Sequence, residues 1–349
     1  MNKSFLILIL TIMKYSRNES IKNLTGKIIF SALLFIFTCC ENENITDSRY
    51  IEGLSIENYP VIDGSTSTLP LNTVVACELL GLGYQWKENK IDFSSSSWSM
   101  EPKVKHNTRK KLDRVVKSSQ THNSYINLID GDVDIALTAR TMSPDEKSYA
   151  ESKGITLIET PIAIDAFIFI INPHNDINEL TTEDIQNIYT GKVTDWRDLG
   201  LSLAPSYDGP LPITPFIRNP NSGSQELMDL LVMKDLDYYT KLPIYEEALV
   251  FTMAGLLDNI ANHQLAIGYT VYYYNEHIVR GGNRLKTIGI DGIHPNKQTI
   301  SDRSYPYASD VYAVIRSDTD MSSMAYRIYE WLQTEAGKQA ISKSGYIPN

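Results

Sequence analysis

The chain has 349 residues, of which 42% are apolar, enough to build one large domain or two domains of ordinary size. Its formal net charge of −10 argues against nucleic acid or an anionic membrane surface as the main partner. Of its three cysteines only Cys77 lies outside the N-terminal segment, so we expect neither a disulfide framework nor a cysteine metal site.

Residues 1–40 have the pattern of a bacterial lipoprotein signal peptide. Positive charges at 14–27 precede an apolar run at 28–38, and this run ends at Cys39-Cys40. The run is too short to span a bilayer comfortably. Cys39 or Cys40 would carry the lipid, and the polar residues 41–57 would tether the fold to it. A plain signal anchor is the alternative for this segment.

The first part of the remaining chain predicts strands that lead through polar loops into helices. YPVIDGSTSTLPL at 59–71 predicts a strand, a Gly-Ser-Thr loop and the start of a helix. The polar stretch 90–119 contains a strand candidate near 112–116. THNSYINLIDGDVDIALTAR at 121–140 predicts a loop, a helix, a turn and a buried strand that ends in Thr-Ala-Arg.

The same alternation continues to the end of the chain. In order, we expect a capped helix from Ser143, a strand at 160–173, a helix capped by Thr181 or Thr182, a strand at 263–275, a strand at 307–316 and an amphipathic helix at 324–342. Strands alternating with helices predict an α/β fold with a largely parallel sheet. The two long apolar strands bracket a central segment, which suits two lobes joined by two crossing strands.

PFIRNPNSGSQELMDLL at 215–231 is the most informative segment for function. A short apolar run and a turn lead to helical spacing from Gln225, with Ser222 or Ser224 placed to cap the helix. Unpaired helix N–H groups, hydroxyls and the guanidinium of Arg218 together suit an oxyanion. An ordinary capped helix with a surface arginine is the alternative. Similar loops at 64–68 and within 121–140 favour the anion site.

These motifs, in this order, resemble the substrate-binding proteins of phosphate ABC transporters, the PstS family, which have a type 2 periplasmic-binding fold. The similarity covers 59–349 and rests on DGSTSTLPL, DGDVDIALTARTMSPDEK, LTTEDIQNIYTGKVTDWRDLG, PFIRNPNSGSQE and LAIGYTVYYYN. It implies two lobes, each a mostly parallel sheet flanked by helices, joined by two hinge strands. Lobe 1 would comprise 58–165 plus 276–349, and lobe 2 would comprise 166–275.

The resemblance also implies what the protein binds and with which partners it acts. A monomer in the cell envelope, facing the periplasm or the cell exterior, would close on one inorganic phosphate and deliver it to an ABC transporter permease. It would need no cofactor, metal or catalytic residue. The residues that the resemblance assigns to the ligand are Ser65, Thr66, Ser67, Thr68, Thr121, Thr138, Arg140, Arg218, Ser222, Gly223 and Ser224.

Two departures from the family pattern concern ligand choice. Ala139 stands where many members have an aspartate that accepts the proton of hydrogen phosphate, and Arg140 beside it would add a second guanidinium. Asp63 or Asp165 could replace the acceptor. The residue that often orients the family arginine is acidic, but here it is Pro220, so something else must hold Arg218.

Other functions remain as alternatives. The ligand could be sulfate, another oxyanion or an organic phosphate, and the protein could be a sensor or surface lipoprotein without a transporter. An enzyme such as a phosphatase is disfavoured, because the chain has no Gly-x-Ser-x-Gly elbow, no Gly-Lys-Ser/Thr phosphate loop and no metal-ligand spacing among its six histidines.

Overall fold

The structure is a computed structural model that describes residues 50–90, 96–201, 209–241, 244–245, 254–280 and 282–349. The predicted signal peptide, Cys39, Cys40 and most of the tether lie outside these residues. Within the described ranges no helix is long and apolar enough to cross a membrane.

Short strands and two long ones make up the β structure. In chain order they are β1 (Ile62–Gly64), β2 (Tyr84–Lys90), β3 (Ser96–Pro102), β4 (Ile135–Thr138), β5 (Leu157–Ile171), β6 (Glu179–Leu180), β7 (Thr214–Pro215), β8 (Ile217–Arg218), β9 (Ile244–Tyr245), β10 (Ala266–Val271), β11 (Lys286–Thr287), β12 (Gly289–Ile290), β13 (Ala308–Arg316) and β14 (Ile347–Pro348). The main sheet has the order β1-β4-β13-β5-β10-β7.

β5 runs through both lobes. Its first part, 157–166, pairs antiparallel with β13, and its last part, 167–171, pairs antiparallel with β10. The outer pairs β1–β4 and β7–β10 are parallel. The strand is buried continuously from 162 to 171, as expected for an apolar run that is covered on both faces. The predicted two-lobed α/β fold is confirmed, with β5 as one crossing strand.

Helices flank these strands. They are α1 (Leu69–Leu79), α2 (His106–Val115), α3 (Thr121–Asp130), α4 (Pro144–Lys153), α5 (Thr182–Tyr189), α6 (Gly223–Leu227), α7 (Ala254–Asn262), α8 (Lys297–Ser301), α9 (Met324–Trp331) and α10 (Glu335–Ser344), with π-helical turns at Met228–Met233 and Tyr274–Val279. Ser143 caps α4 as predicted, and Thr181, one of the two predicted candidates, caps α5; both form capping boxes. Short 3-10 turns lie at Thr66–Thr68, Trp196–Leu199 and Gly282–Arg284.

The prediction of a strand near 112–116 is wrong. Residues 112–115 end α2, where Leu112 is buried and Arg109 pairs with Asp113 one helical turn away, and Val116 after the helix forms an isolated bridge with Ile62. The polar stretch before it contributes the hairpin β2–β3. The last predicted helix is two helices, since the Thr334 hydroxyl accepts from the N–H of Gly337 and starts α10.

Two short strands of the segment assigned to lobe 1 pair with strands assigned to lobe 2. β11 pairs with the end of β5, and β12 pairs with β6. Both therefore lie beside strands of lobe 2, although they follow the second crossing segment and were assigned to lobe 1. Pairing over more than a hundred residues of chain is set by tertiary contacts, and the sequence pattern of such two-residue strands does not reveal it.

Candidate functional site

Three helix starts converge on one small cavity. The turn Thr66–Thr68 leads into α1, α3 begins at Thr121, and α6 begins at Gly223. The first N–H groups of a helix have no partner within the helix and carry partial positive charge. The cavity is therefore surrounded by hydrogen-bond donors from both lobes. Its lining residues are Ser65, Thr66, Ser67, Gln120, Thr121, Ala139, Arg218, Ser222, Gly223, Ser224, Leu227 and Val271.

The cavity is small. Its volume is about 30 Å³, and a single water needs about 10–15 Å³ of such space. This leaves room for a small polyatomic ion and little room for an organic substituent.

Arg218 supplies the positive charge of the site. Its side chain is 2% exposed, and its Nη1 donates to the Ser224 hydroxyl at 3.0 Å. Its backbone N–H donates to Gln225 Oε1 at 2.9 Å and to the Tyr269 hydroxyl at 3.0 Å. These contacts hold Arg218 in place without the acidic residue that Pro220 replaces. A guanidinium away from bulk water favours an anion as its ligand.

The Tyr269 hydroxyl that accepts from the Arg218 backbone belongs to a cluster of packed aromatic rings. Tyr269 on β10 lies 5.1 Å from the ring of Phe167 and 6.0 Å from that of Tyr189, measured between ring centroids. All three rings are buried. Such packing limits the positions that the Tyr269 hydroxyl can take, so the arginine backbone is fixed to a rigid element.

The hydroxyl groups on the lobe 1 side are linked to each other. The Ser65 and Thr121 hydroxyls lie 2.8 Å apart, and the N–H of Ala139 donates to Ser65 Oγ at 3.0 Å. On the lobe 2 side the Ser222 hydroxyl caps α6 by accepting from the N–H of Gln225. The predicted loops therefore meet at one place, although they lie far apart along the chain.

Thr68 and Thr138, two of the predicted ligand residues, are not among the residues that line the cavity. The Thr68 hydroxyl donates to the carbonyl of Leu137, and the Thr138 hydroxyl lies 3.1 Å from that of Tyr125. These contacts support the loops. Both hydroxyls are engaged with other protein groups, and their contact with a ligand stays a prediction.

Arg140 is engaged by a buried carboxylate. Its Nη1 and Nη2 donate to the two carboxylate oxygens of Glu146, each at 2.8 Å, and both side chains are buried. His122 adds a contact of 3.0 Å from Nδ1 to the same carboxylate. The guanidinium fork of Arg140 therefore faces Glu146 and does not add a second cation to the cavity lining.

Neither proposed substitute for the missing aspartate reaches the cavity. Asp63 Oδ1 accepts from the N–H groups of Gly64 and Ser119, and its Oδ2 accepts from the Asn127 amide. Asp165 lines a different cavity. The lining residues in the described part of the chain thus offer hydroxyl and amide oxygens as acceptors, and no carboxylate.

Gln120 is a lining residue that the sequence did not reveal. It precedes α3 with φ of 71°, in a region of backbone conformation that non-glycine residues rarely occupy. Strained backbone of this kind is concentrated at binding sites. A glutamine before a helix carries no local signal for a positive φ, so only the three-dimensional structure could identify it.

A family model described as a PBP superfamily domain matches residues 100–333, which is more than half of the chain. The chain belongs to the PBP superfamily. Among the described residues of this superfamily member, no cluster of three or more histidine, cysteine, aspartate or glutamate side chains could hold a metal ion.

Curated relatives of this PBP superfamily member are phosphate-binding proteins by name. PstS of Borreliella burgdorferi is 24% identical over 248 residues, covering 70% of this chain and 81% of that protein. PstS of Staphylococcus epidermidis is 26% identical over 245 residues, covering 67% and 70%. These relatives confirm the resemblance to the PstS family, and they are binding proteins, not enzymes.

Solved structures show the same fold. A Clostridium perfringens substrate-binding protein assigned to phosphate ABC transport, with bound phosphate, superposes with a TM-score of 0.59 at 21% identity, covering 85% of this chain and all (100%) of that chain. An ABC-type phosphate transport receptor from Vibrio cholerae has a TM-score of 0.55 at 19% identity, covering 82% and 99%. At this level of identity the likeness establishes the two-lobed architecture of the PBP superfamily member.

Proposed function

We propose that this protein captures inorganic phosphate between its two lobes as the substrate-binding protein of an ABC transporter. The observation that carries the proposal is the meeting of three helix starts and the buried Arg218 around a cavity of about 30 Å³. Fixed donors of this kind bind a small oxyanion by hydrogen bonds and charge. The similarity to the phosphate-binding proteins named PstS supports phosphate as that anion.

Capture involves no chemistry on the ligand. Arg218 balances part of the anion's charge, while the hydroxyls of Ser67, Thr121 and Ser224 and the backbone N–H groups at the helix starts share its oxygens. Donors come from both lobes, so a bound anion would stabilise the closed arrangement over an open one. The crossing strand β5 is part of the hinge for that motion.

The acceptor for the proton of hydrogen phosphate is a neutral group in this proposal. Gln120 Oε1 is the one side-chain amide oxygen among the described lining residues, and the lining hydroxyls can also accept. A neutral acceptor repels sulfate less than a buried carboxylate does. We therefore expect phosphate to be preferred by a smaller margin than an aspartate at position 139 would give.

Sulfate is the second candidate ligand. Ala139 favours it, because this lining residue has a methyl group where a hydrogen-bond acceptor would discriminate against sulfate. An organic phosphate is less compatible with a cavity of about 30 Å³.

The proposal extends to the cellular setting. Residues 1–40 would direct export, Cys39 or Cys40 would carry the lipid, and 41–57 would be the tether, so that the monomer stays at the cell envelope. Lobe 1 would comprise 58–165 plus 276–349, apart from the strands β11 and β12, and lobe 2 would comprise 166–275. A permease would receive the phosphate; a sensor or surface lipoprotein with the same site is the alternative.

Isothermal titration of the soluble chain, starting near residue 50, tests the ligand. Phosphate and then sulfate are titrated at two pH values on either side of neutrality. Saturable phosphate binding that exceeds sulfate binding supports the proposal. Equal binding of both anions, or binding of sulfate alone, would replace phosphate by sulfate or by a general oxyanion. Absence of heat from both would overturn the inorganic oxyanion function.

A further inference from the structure

A second and larger cavity lies at the hinge. Its volume is about 300 Å³, roughly ten times that of the oxyanion cavity, and the two share no lining residue. We call it the hinge cavity. Asp165 of β5 and Tyr273, which follows β10, both line it, so it touches both crossing segments. Its size lies at the lower end of the range of small-molecule sites, about 300–1,000 Å³.

Asp165 is the buried polar group of this cavity. The residue is 3% exposed, and its Oδ1 accepts from the N–H groups of Ala166 at 2.8 Å and Tyr273 at 2.9 Å. Its Oδ2 has no hydrogen-bond partner in the described structure. A buried carboxyl oxygen without a donor is costly. A ligand that brings a donor would remove this cost.

Aromatic rings form part of the wall. Tyr273 and Tyr346 stack with centroids 3.7 Å apart and an angle of 2° between the rings, and the ring of His277 lies 4.7 Å from that of Tyr273. Burial lowers the pKa of His277, with Arg280 and Lys297 adding to the effect, which favours the neutral imidazole. Neutral rings beside acidic side chains are a favourable environment for an organic cation.

The charged groups of the lining define the ligand further. Glu276 and Lys297 are exposed, whereas Asp165 is buried, so the first two lie toward solvent and the carboxyl of Asp165 lies deep. The two acidic side chains, Asp165 and Glu276, disfavour a phosphate or sulfate ion here. One lysine disfavours a ligand that is only cationic and favours one that also carries a negative group. The described residues offer too few ligand groups for a metal ion.

We propose that the hinge cavity binds a small zwitterionic amino compound of the amino-acid class, with its ammonium group toward Asp165 and its carboxylate toward Lys297. This site shares no lining residue with the oxyanion site, and its ligand does not follow from the proposed transport function. Because a ligand in the hinge cavity would contact Asp165 and Tyr273 on the two crossing segments, its binding and the movement of the lobes would involve the same residues.

Three probes of matched shape test the proposal on the soluble protein. They are leucine, isopentylamine, which lacks the carboxylate, and isocaproate, which lacks the ammonium group. Amide signals of Tyr273 and Gly345 are followed by nuclear magnetic resonance during titration, together with those of Ser222 and Ser224 as markers of the oxyanion site. We expect leucine to shift the hinge signals saturably, isopentylamine to do so more weakly, and isocaproate to leave them in place.

Variants identify the contacts. Asp165→Asn should weaken leucine binding by roughly tenfold or more. Lys297→Ala, a change at an exposed residue that should not affect folding, should weaken leucine but not isopentylamine. Arg218→Ala should leave leucine binding unchanged, which separates this site from the oxyanion site. Isocaproate binding as well as leucine, shifts confined to Ser222 and Ser224, or no saturable shift with any probe would each overturn the proposal.

Discussion

Gly223 and Thr121 meet across the cleft with no space between them. A β-carbon on residue 223 would lie 2.4 Å from Thr121 Oγ1 and 3.3 Å from Thr121 Cβ, whereas real β-carbons do not approach heavy atoms within 3.0 Å. The first residue of α6 and the first residue of α3 therefore pack directly on each other. The close approach of the two lobes at this point requires a residue without a side chain.

Gly223→Ala should consequently impair closure while both lobes still fold. The added methyl group would force the helix starts apart, and overpacking of this kind costs about 1–3 kcal/mol. We expect phosphate affinity to fall by about that amount in isothermal titration, with little change in melting temperature. Gly83→Ala is a matched control, because a β-carbon there would meet only Lys103, at 3.6 Å. Unchanged affinity in Gly223→Ala would mean that the closed contact is not needed for binding.

Arg218 and Arg140 are both buried, but removing Arg218 should lower phosphate affinity, whereas removing Arg140 should lower stability. Arg218→Ala should lower phosphate affinity by about 2–5 kcal/mol, the usual cost of truncating one partner of a buried charge-assisted contact. Titration measures this loss, and circular dichroism verifies that the variant is folded. A variant that retains tight binding would place Arg218 outside the site.

Arg140→Ala should act on stability instead. It leaves the buried carboxylate of Glu146 without its bidentate partner, which costs about 3–5 kcal/mol of unfolding free energy. Denaturant unfolding measures that loss. Phosphate affinity of the folded fraction should stay close to that of the wild type. A large loss of affinity without loss of stability would restore Arg140 as a ligand residue.

Gln120 has a strained backbone and also lines the oxyanion cavity, so its substitution should change both stability and the selectivity for phosphate over sulfate. Gln120→Gly should relieve the backbone at φ of 71°, raising the unfolding free energy by about 1 kcal/mol, the lower end of the usual strain cost. Gln120→Ala keeps the strain but also removes the amide. Both variants should therefore bind phosphate less selectively over sulfate, while only the glycine variant becomes more stable. Unaltered selectivity in both would exclude Gln120 as the proton acceptor.

Asp165 should make stability depend on pH. Burial raises the pKa of its carboxyl from 3.8 to about 7 in the folded protein. The folded state therefore binds this proton more tightly than the unfolded state does. The stability gained from the protonated form is complete below about pH 4 and is lost as the pH rises to about 7.

The comparison with Asp165→Asn isolates this effect, since Glu276, His277 and Lys297 are present in both proteins. Between about pH 4 and pH 8 the wild type should lose up to roughly 4 kcal/mol more than the variant, at about 1.4 kcal/mol for each pKa unit. Urea unfolding at several pH values measures the difference. Parallel pH profiles would show that Asp165 titrates near its ordinary value.

Much of the site could be predicted because its chemistry is local. A hydroxyl residue that caps a helix, a Gly-Ser turn and an arginine just upstream are set by neighbouring residues, so Ser222 and Arg218 could be identified from the sequence. The same holds for Thr181 and Ser143 as N-caps. The α/β class followed from hydrophobic periodicity, which is also a local property.

Only the tertiary structure determined the features that depend on distances between residues far apart in the chain. The fork of Arg140 faces Glu146, the backbone of Gln120 takes a positive φ, and α2 replaces a predicted strand, because the packing around each residue selected one of several locally acceptable states. The close approach of Gly223 to Thr121 in the cavity wall joins residues that are about a hundred positions apart in the chain. By itself the sequence determined which groups could hold an anion; only the folded lobes determined how closely those groups meet and which of them reach the cavity.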